Sequence, residues 1–265
     1  MMDKDSTDSE WTDKKVFKFL NDKSHRKSYS GYSYAVLPTN HCSFGDSKHS
    51  REWRPTAEYA YKFQLLVLDV ISSNLNNRPV YFATTCSVEN FEAYQHYITT
   101  NILTYELTDQ YQLVSPYYQN LNNKKCFAEA MHVFNWRDAS KSKSNGKLLQ
   151  RTYSMQLARL AESLAYAHQA DSSMKIIDLF MYIFPDDLFS FDYFTLPIVR
   201  ACYQTGRYKL GTEVAKKIVY NYRHDINPIP ESVYRAKQQK YTKLISDVRE
   251  IMRTYSQDDS ILDRD

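Results

Sequence analysis

The chain has 265 residues, 43% of them apolar, and a formal net charge of +3. That length and apolar content support one large or two ordinary globular domains and exclude a disordered chain. So small a charge, carried by dispersed Lys and Arg, argues against a nucleic-acid partner.

Residues 1–10, "MMDKDSTDSE", are polar and acidic and read as disordered, not as a secretory signal. "WTDKKVFKFLND" predicts a short amphipathic helix with Trp11, Val16, Phe19 and Leu20 on one side. Residues 21–56, rich in Ser, Lys, His and Tyr and broken by Gly31, Pro38, Gly45 and Pro55, predict an irregular arm with one short strand at "SYAVLP". From Thr56, Tyr61, Leu65, Leu68 and Val70–Ile71 recur at helical spacing and predict a helix over 56–74. Asn74, Asn76 and Asn77 end it, since Asn tolerates the left-handed conformation found at helix ends.

Pro79 then turns Arg78 toward extended geometry, and "VYFATT" reads as a buried strand. "VENFEAYQHYI" predicts a second helix and "NILTYEL" a second strand. Residues 108–147 form a polar connector around the apolar piece "CFAEAMHVFNW", and beyond it the chain reads as helical to residue 256. The expected fold is α+β and mostly α: an irregular arm over 1–55, an α/β segment over 56–135 and a tetratricopeptide-like helical-hairpin array over 148–256.

The array rests on a self-similar unit. In "SMQLARLAESLAYAHQADSSMKIIDLFMYIFPDD", Leu160 and Ala161 take the apolar-then-small pair, Ile177 the large position and Pro185 the closing proline. In "TLPIVRACYQTGRYKLGTEVAKKIVYNYRHD", Gly206 falls in the turn between helices and Gly211 at the small position where paired helices approach. The first unit lacks the turn glycine. Asp186 and Asp187 read as caps of the next helix and not as a catalytic pair.

Sites are sparse. The four cysteines at 42, 86, 126 and 202 show no CxxC spacing and read as free thiols. His41 and Cys42, adjacent in "TNHCSF", point apart in a strand and do not make a zinc site. No apolar run approaches the ~20 residues of a membrane span; the longest, "LLVLDVI", contains Asp69. No catalytic constellation, metal site or cofactor motif appears, and five glycines leave little room for a phosphate-cradling loop. The candidate binding residues are Asn77, Arg78 and Tyr81 in "NLNNRPVYFATTC". Arg78 can hold an anion or a sugar hydroxyl, or brace the carbonyls ending the preceding helix. Ligands gather at the carboxyl ends of strands in open α/β sheets, so an Arg where a strand begins favours bracing.

Two long segments, "LLVLDVISSNLNNRPVYFATT" and "FDYFTLPIVRACYQTGRYKLGTEVAKKI", with "YAVLPTNHCSF" and "MHVFNWRD" accompanying them, carry a resemblance over about residues 11–225. They resemble a bacterial domain-of-unknown-function family of multi-spanning membrane proteins, itself similar to lumenal protein O-mannosyltransferases of the GT-C glycosyltransferase kind. In such proteins a membrane-embedded region carries the catalytic acid, and a soluble tetratricopeptide-like tail lies on the non-cytoplasmic side. This chain resembles the tail only, so no family catalytic residue has a position here. The resemblance implies a non-catalytic soluble accessory domain at the periplasmic face of the inner membrane. Its partner would be a membrane-embedded glycosyltransferase-like region or an acceptor protein. The alternative is a free helical-repeat adaptor unrelated to glycosylation.

Overall fold

The computed structural model describes residues 11–37, 39, 41–46, 50–55, 60–75, 78–113, 120–136, 147–185, 191–225 and 231–263. The expectations for residues 1–10, Asn76, Asn77, Asp186 and Asp187 lie outside them. The chain is a mostly-α α+β protein of two compact units, one comprising residues 1–100 and 104–120, the other 101–103 and 121–265.

In the first unit, α1 (Asp13–Asn21) starts where Thr12 Oγ1 accepts the Lys15 N–H at 3.3 Å, and buries Val16. Two β-hairpins follow. β1 (Arg26–Tyr29) pairs with β2 (Tyr32–Ala35) through a Ser30–Gly31 turn with positive φ at both residues. β3 (Cys42–Phe44) pairs with β4 (Arg51–Trp53). The second hairpin is part of the core: Cys42, Phe44 and Trp53 are buried, and Phe44 meets Tyr94 edge-on at 5.6 Å. Arg51, opposite Phe44 in the hairpin, is also buried, and its Nε donates to the Thr108 carbonyl at 2.6 Å. This corrects the expected irregular arm. Three-residue strands offer too little alternation to be distinguished from loop in a Ser- and Tyr-rich stretch.

α2 (Lys62–Asn74) buries Gln64, Leu68 and Ile71 at positions i, i+4 and i+7. Gln64 is satisfied inside, accepting from the Tyr61 N–H at 2.9 Å and donating to the Glu89 carbonyl at 3.2 Å. β5 (Val80–Ala83), β6 (Ile98–Thr100) and β7 (Thr104–Leu107) form an antiparallel sheet in the order β5-β7-β6. The predicted second helix is instead two 3-10 segments, Val88–Asn90 and Glu92–Tyr97, and the strand predicted in "NILTYEL" is β7 alone, starting at Thr104, with β6 preceding it. An antiparallel sheet exposes one face, so β5 is not the buried strand expected but a one-sided one: Phe82 is buried, while Tyr81 is 45% exposed.

The second unit is helical: α3 (Asn123–Ala128), α4 (Lys147–Tyr166), α5 (Ala170–Ile183), α6 (Leu196–Gln204), α7 (Tyr208–Asp225) and α8 (Glu231–Thr254). Among the described residues, no strand follows Leu107. α4 packs on α5, and α6 on α7, as successive helical hairpins. The residues at the repeat positions, Leu160, Ala161 and Ile177, are all fully buried. Ser173 of α5 donates to the Ala161 carbonyl of α4 at 2.7 Å.

Three helices close alike. After α4, the Gln169 N–H reaches the Leu164 carbonyl and the His168 N–H that of Ala165. After α6, Arg207 and Gly206 repeat the pattern on Cys202 and Tyr203, and after α8, Gln257 and Ser256 repeat it on Met252 and Arg253. Each is a Schellman closure with its turning residue at positive φ: His168 +57°, Gly206 +78°, Ser256 +55°. The first repeat therefore performs with His168 what the second performs with glycine, and that hid its turn in the sequence.

The two units divide the chain differently from the expected 1–55, 56–135 and 148–256. Residues 21–55 share a core with the sheet, while 121–135 belong with the helices. Within the helical unit, Cys126 and Ala130 are buried and Ser163 Oγ donates to Asn123 Oδ1 at 2.8 Å.

Candidate functional site

Tyr81 stands on the open face of the three-stranded sheet. Strand alternation sends Val80, Phe82, Tyr105 and Leu107 inward and leaves Tyr81, Glu106 and Thr99 in cross-strand register on the other side. The Tyr81 hydroxyl donates to Glu106 Oε1 at 3.4 Å, and Gln112 Nε2 donates to Thr99 Oγ1 at 2.9 Å. The Gln112 N–H donates to the His96 carbonyl at 2.7 Å, and His96 Nδ1 lies 3.1 Å from the Gln112 carbonyl, with the His96 ring stacked on Tyr111 at 4.7 Å. The result is a strip of hydroxyl, carboxylate, amide and ring groups suited to hydrogen-bonding a partner's surface. Glu106, between two core residues in "TYEL", was the signal for this face in the sequence.

Arg78 is not part of the strip. Its Nε and Nη2 both donate to Asn74 Oδ1, at 3.1 and 2.7 Å, while Asn74 Nδ2 donates to the Val70 carbonyl at 2.7 Å. The guanidinium thus reaches the last turn of α2 through a side-chain amide and not by touching the carbonyls itself. Asn77 falls outside the described residues; of the other two candidates, Arg78 bonds Asn74 and Tyr81 bonds Glu106.

The helical unit offers a second surface. Asp171, Lys175, Asp178 and Tyr182 recur along the exposed side of α5, ending in Tyr182 at 79% exposure. Arg207, at the turn into α7, forms a two-pronged ion pair with Asp178, one prong Nη2 to Oδ2 at 3.0 Å. Beside it lies an open cleft of about 500 Å³ lined by Arg207, Tyr208, Leu210 and Glu213. Charged groups around exposed tyrosines are the composition of a polar protein-binding surface.

Burial raises the carboxyl of Glu162, in α4, above its usual range, and Arg200 of α6, 3.2 Å away, offsets only part of that rise. Burial pushes the thiols of Cys42, Cys126 and Cys202 up to about 12, so all three are protonated and unreactive near neutral pH. His41 is exposed, its Nε2 4.0 Å from Glu52, while the adjacent Cys42 is buried. Among the described residues, no three His, Cys, Asp or Glu side chains converge as a metal site, and no helix is long and apolar enough to cross a membrane.

Comparison with protein-family models, curated proteins and solved structures returned no match. The functional reading therefore starts from these two surfaces and from the sequence motifs.

Proposed function

We propose that the chain is a non-catalytic, partner-binding module that serves a membrane glycosyltransferase-like protein on the periplasmic side. The observation that carries the binding role is the tandem of helical hairpins α4–α5 and α6–α7, closed by the same turn and displaying Tyr182 beside the Asp178–Arg207 pair. Stacked hairpins keep an outer face rigid, so side chains on α5 meet a partner with little further loss of freedom. The resemblance of residues 11–225 to the soluble tail of a GT-C-like family supplies the partner class.

Co-precipitation tests this. Purified chain is mixed in detergent with a membrane-embedded member of the resembled family, and retention is compared for wild type, Tyr182→Ala and Asp178→Lys. The expected result is retention by wild type and loss by both variants at unchanged stability. Equal retention of all three would remove α5 from the interface. No retention at all would favour the free adaptor, for which the same hairpins serve equally.

A further inference from the structure

The small net charge conceals a local excess. Residues 11–35 hold Lys14, Lys15, Lys18, Lys23, Arg26 and Lys27 against Asp13 and Asp22, a net +4 where the whole chain has +3. Both acids are turned to the backbone: Asp13 Oδ1 accepts the Lys14 N–H, and Asp22 Oδ1 accepts the Ser24 N–H and hydroxyl. The six cationic residues are all exposed.

The fold assembles them into one arm. α1 buries Val16 and turns Lys14, Lys15 and Lys18 outward. The His25 ring stacks on Phe19 at 3.8 Å, and its Nδ1 lies 3.0 Å from the Phe19 carbonyl, which joins the base of the β1–β2 hairpin to the last turn of α1. In the hairpin itself every β1 residue is exposed. Cross-strand register sets Lys27 opposite Tyr34 and puts Tyr29 on the same face, with Tyr29 76% and Tyr34 47% exposed, followed by exposed Val36. An isolated two-stranded hairpin buries too little to justify such a surface by its own stability.

We infer that this arm docks on an anionic lipid surface. Five of the six cations are lysines, compact point charges suited to a diffuse negative potential and not to bidentate reading of individual phosphates. Tyrosine has an apolar body and a polar tip, the character that suits the boundary between headgroups and acyl chains. The apolar side of α1 is already committed to the core, so the arm lies on the surface and does not insert as a helix. The inference is carried by the first unit alone and stands whether or not the helical unit binds a glycosyltransferase.

The test is sedimentation of the full chain with vesicles of phosphatidylcholine alone or with roughly one-third phosphatidylglycerol. The expected result is binding only to the anionic vesicles, weakened by salt. Lys23→Glu/Arg26→Glu/Lys27→Glu should weaken it by about tenfold or more, and Tyr29→Ser/Tyr34→Ser by a smaller factor. All five side chains are exposed, so an unchanged urea midpoint will show that the variants fold. Equal binding to neutral vesicles, or none to either kind, overturns the proposal. So does a single-stranded oligonucleotide that binds the arm tightly enough to displace the anionic vesicles, which would make the partner a nucleic acid.

Discussion

Gly211→Ala is the sharpest probe of the hairpin packing. Gly211 lies in the first turn of α7, and a Cβ built there would stand 2.6 Å from Tyr203 Cε1, 2.8 Å from Tyr203 Cδ1 and 3.1 Å from Cys202 Cβ. The Tyr203 ring has little room to retreat. It is 1% exposed, its hydroxyl is 3.1 Å from Thr212 Oγ1, and it packs against Tyr255 at 5.5 Å and Tyr208 at 6.2 Å. In an exposed helix, Gly→Ala gains about 1 kcal/mol from backbone entropy. Here overpacking costs about 1–3 kcal/mol, so the gain is cancelled and a net loss of up to about 2 kcal/mol remains. With a urea m-value of about 2 kcal/mol/M, the midpoint should fall by up to roughly 1 M and should not rise. Far-UV circular dichroism, which reads chiefly the helical unit, follows it. In a Tyr203→Leu background the penalty should shrink, because the ring that meets the new methyl is gone. A Gly211→Ala protein stabilised by the ordinary helical increment would refute the close approach of α6 and α7.

His168→Gly should stabilise the protein by about 0.5–1 kcal/mol in the same urea assay, since His168 holds φ +57° without a glycine's freedom; a loss would mean that the ring makes contacts worth more than the backbone strain. Arg200→Ala should cost about 1–3 kcal/mol, the value for breaking a buried pair discounted because Arg200 is partly exposed. Glu162 has its folded pKa raised, so its ionisation draws stability down as pH rises from below the usual carboxylate range through the raised value. Removing Arg200 raises that value further, and the variant's deficit should therefore be larger at neutral than at acid pH; a deficit independent of pH would contradict the pairing. Arg78→Ala should cost no more than about 1 kcal/mol, because its bonds to Asn74 are exposed. In native protein only Cys86, the exposed thiol, should react promptly with a disulfide reagent at mildly alkaline pH, and all four after denaturation.

The helical unit was legible because its signals are local and long: twenty residues of α4 repeat their apolar stripe several times, and Gly206 marks a turn outright. Its first turn was not, since a histidine carries the left-handed residue. The sheet unit is less legible in the sequence for a physical reason. Its strands are three or four residues long, and Cys42, Phe44 and Trp53 join a core whose other members lie far along the chain, as Phe44 meets Tyr94. The segment "VENFEAYQHYI" has the apolar content of a helix but winds as 3-10 turns ending in β6, because the sheet takes Ile98 and Thr100. Arg78 falls between α2 and β5, and its partner, the Asn74 amide, is a side-chain choice that spacing alone does not specify. The strip around Tyr81 needed the β5–β7 register, which brings Glu106 across from 25 positions along the chain.

Sugar transfer tests the central claim most directly. A polyprenyl-phosphate sugar and an acceptor peptide are incubated with the purified chain alone, with a membrane-embedded member of the resembled family alone, and with both. A non-catalytic partner-binding module predicts no product from the chain alone and more product from the pair than from the membrane protein by itself, with the gain lost in Tyr182→Ala. Product formed by the chain alone, or a pair no more active than the membrane protein, would contradict it.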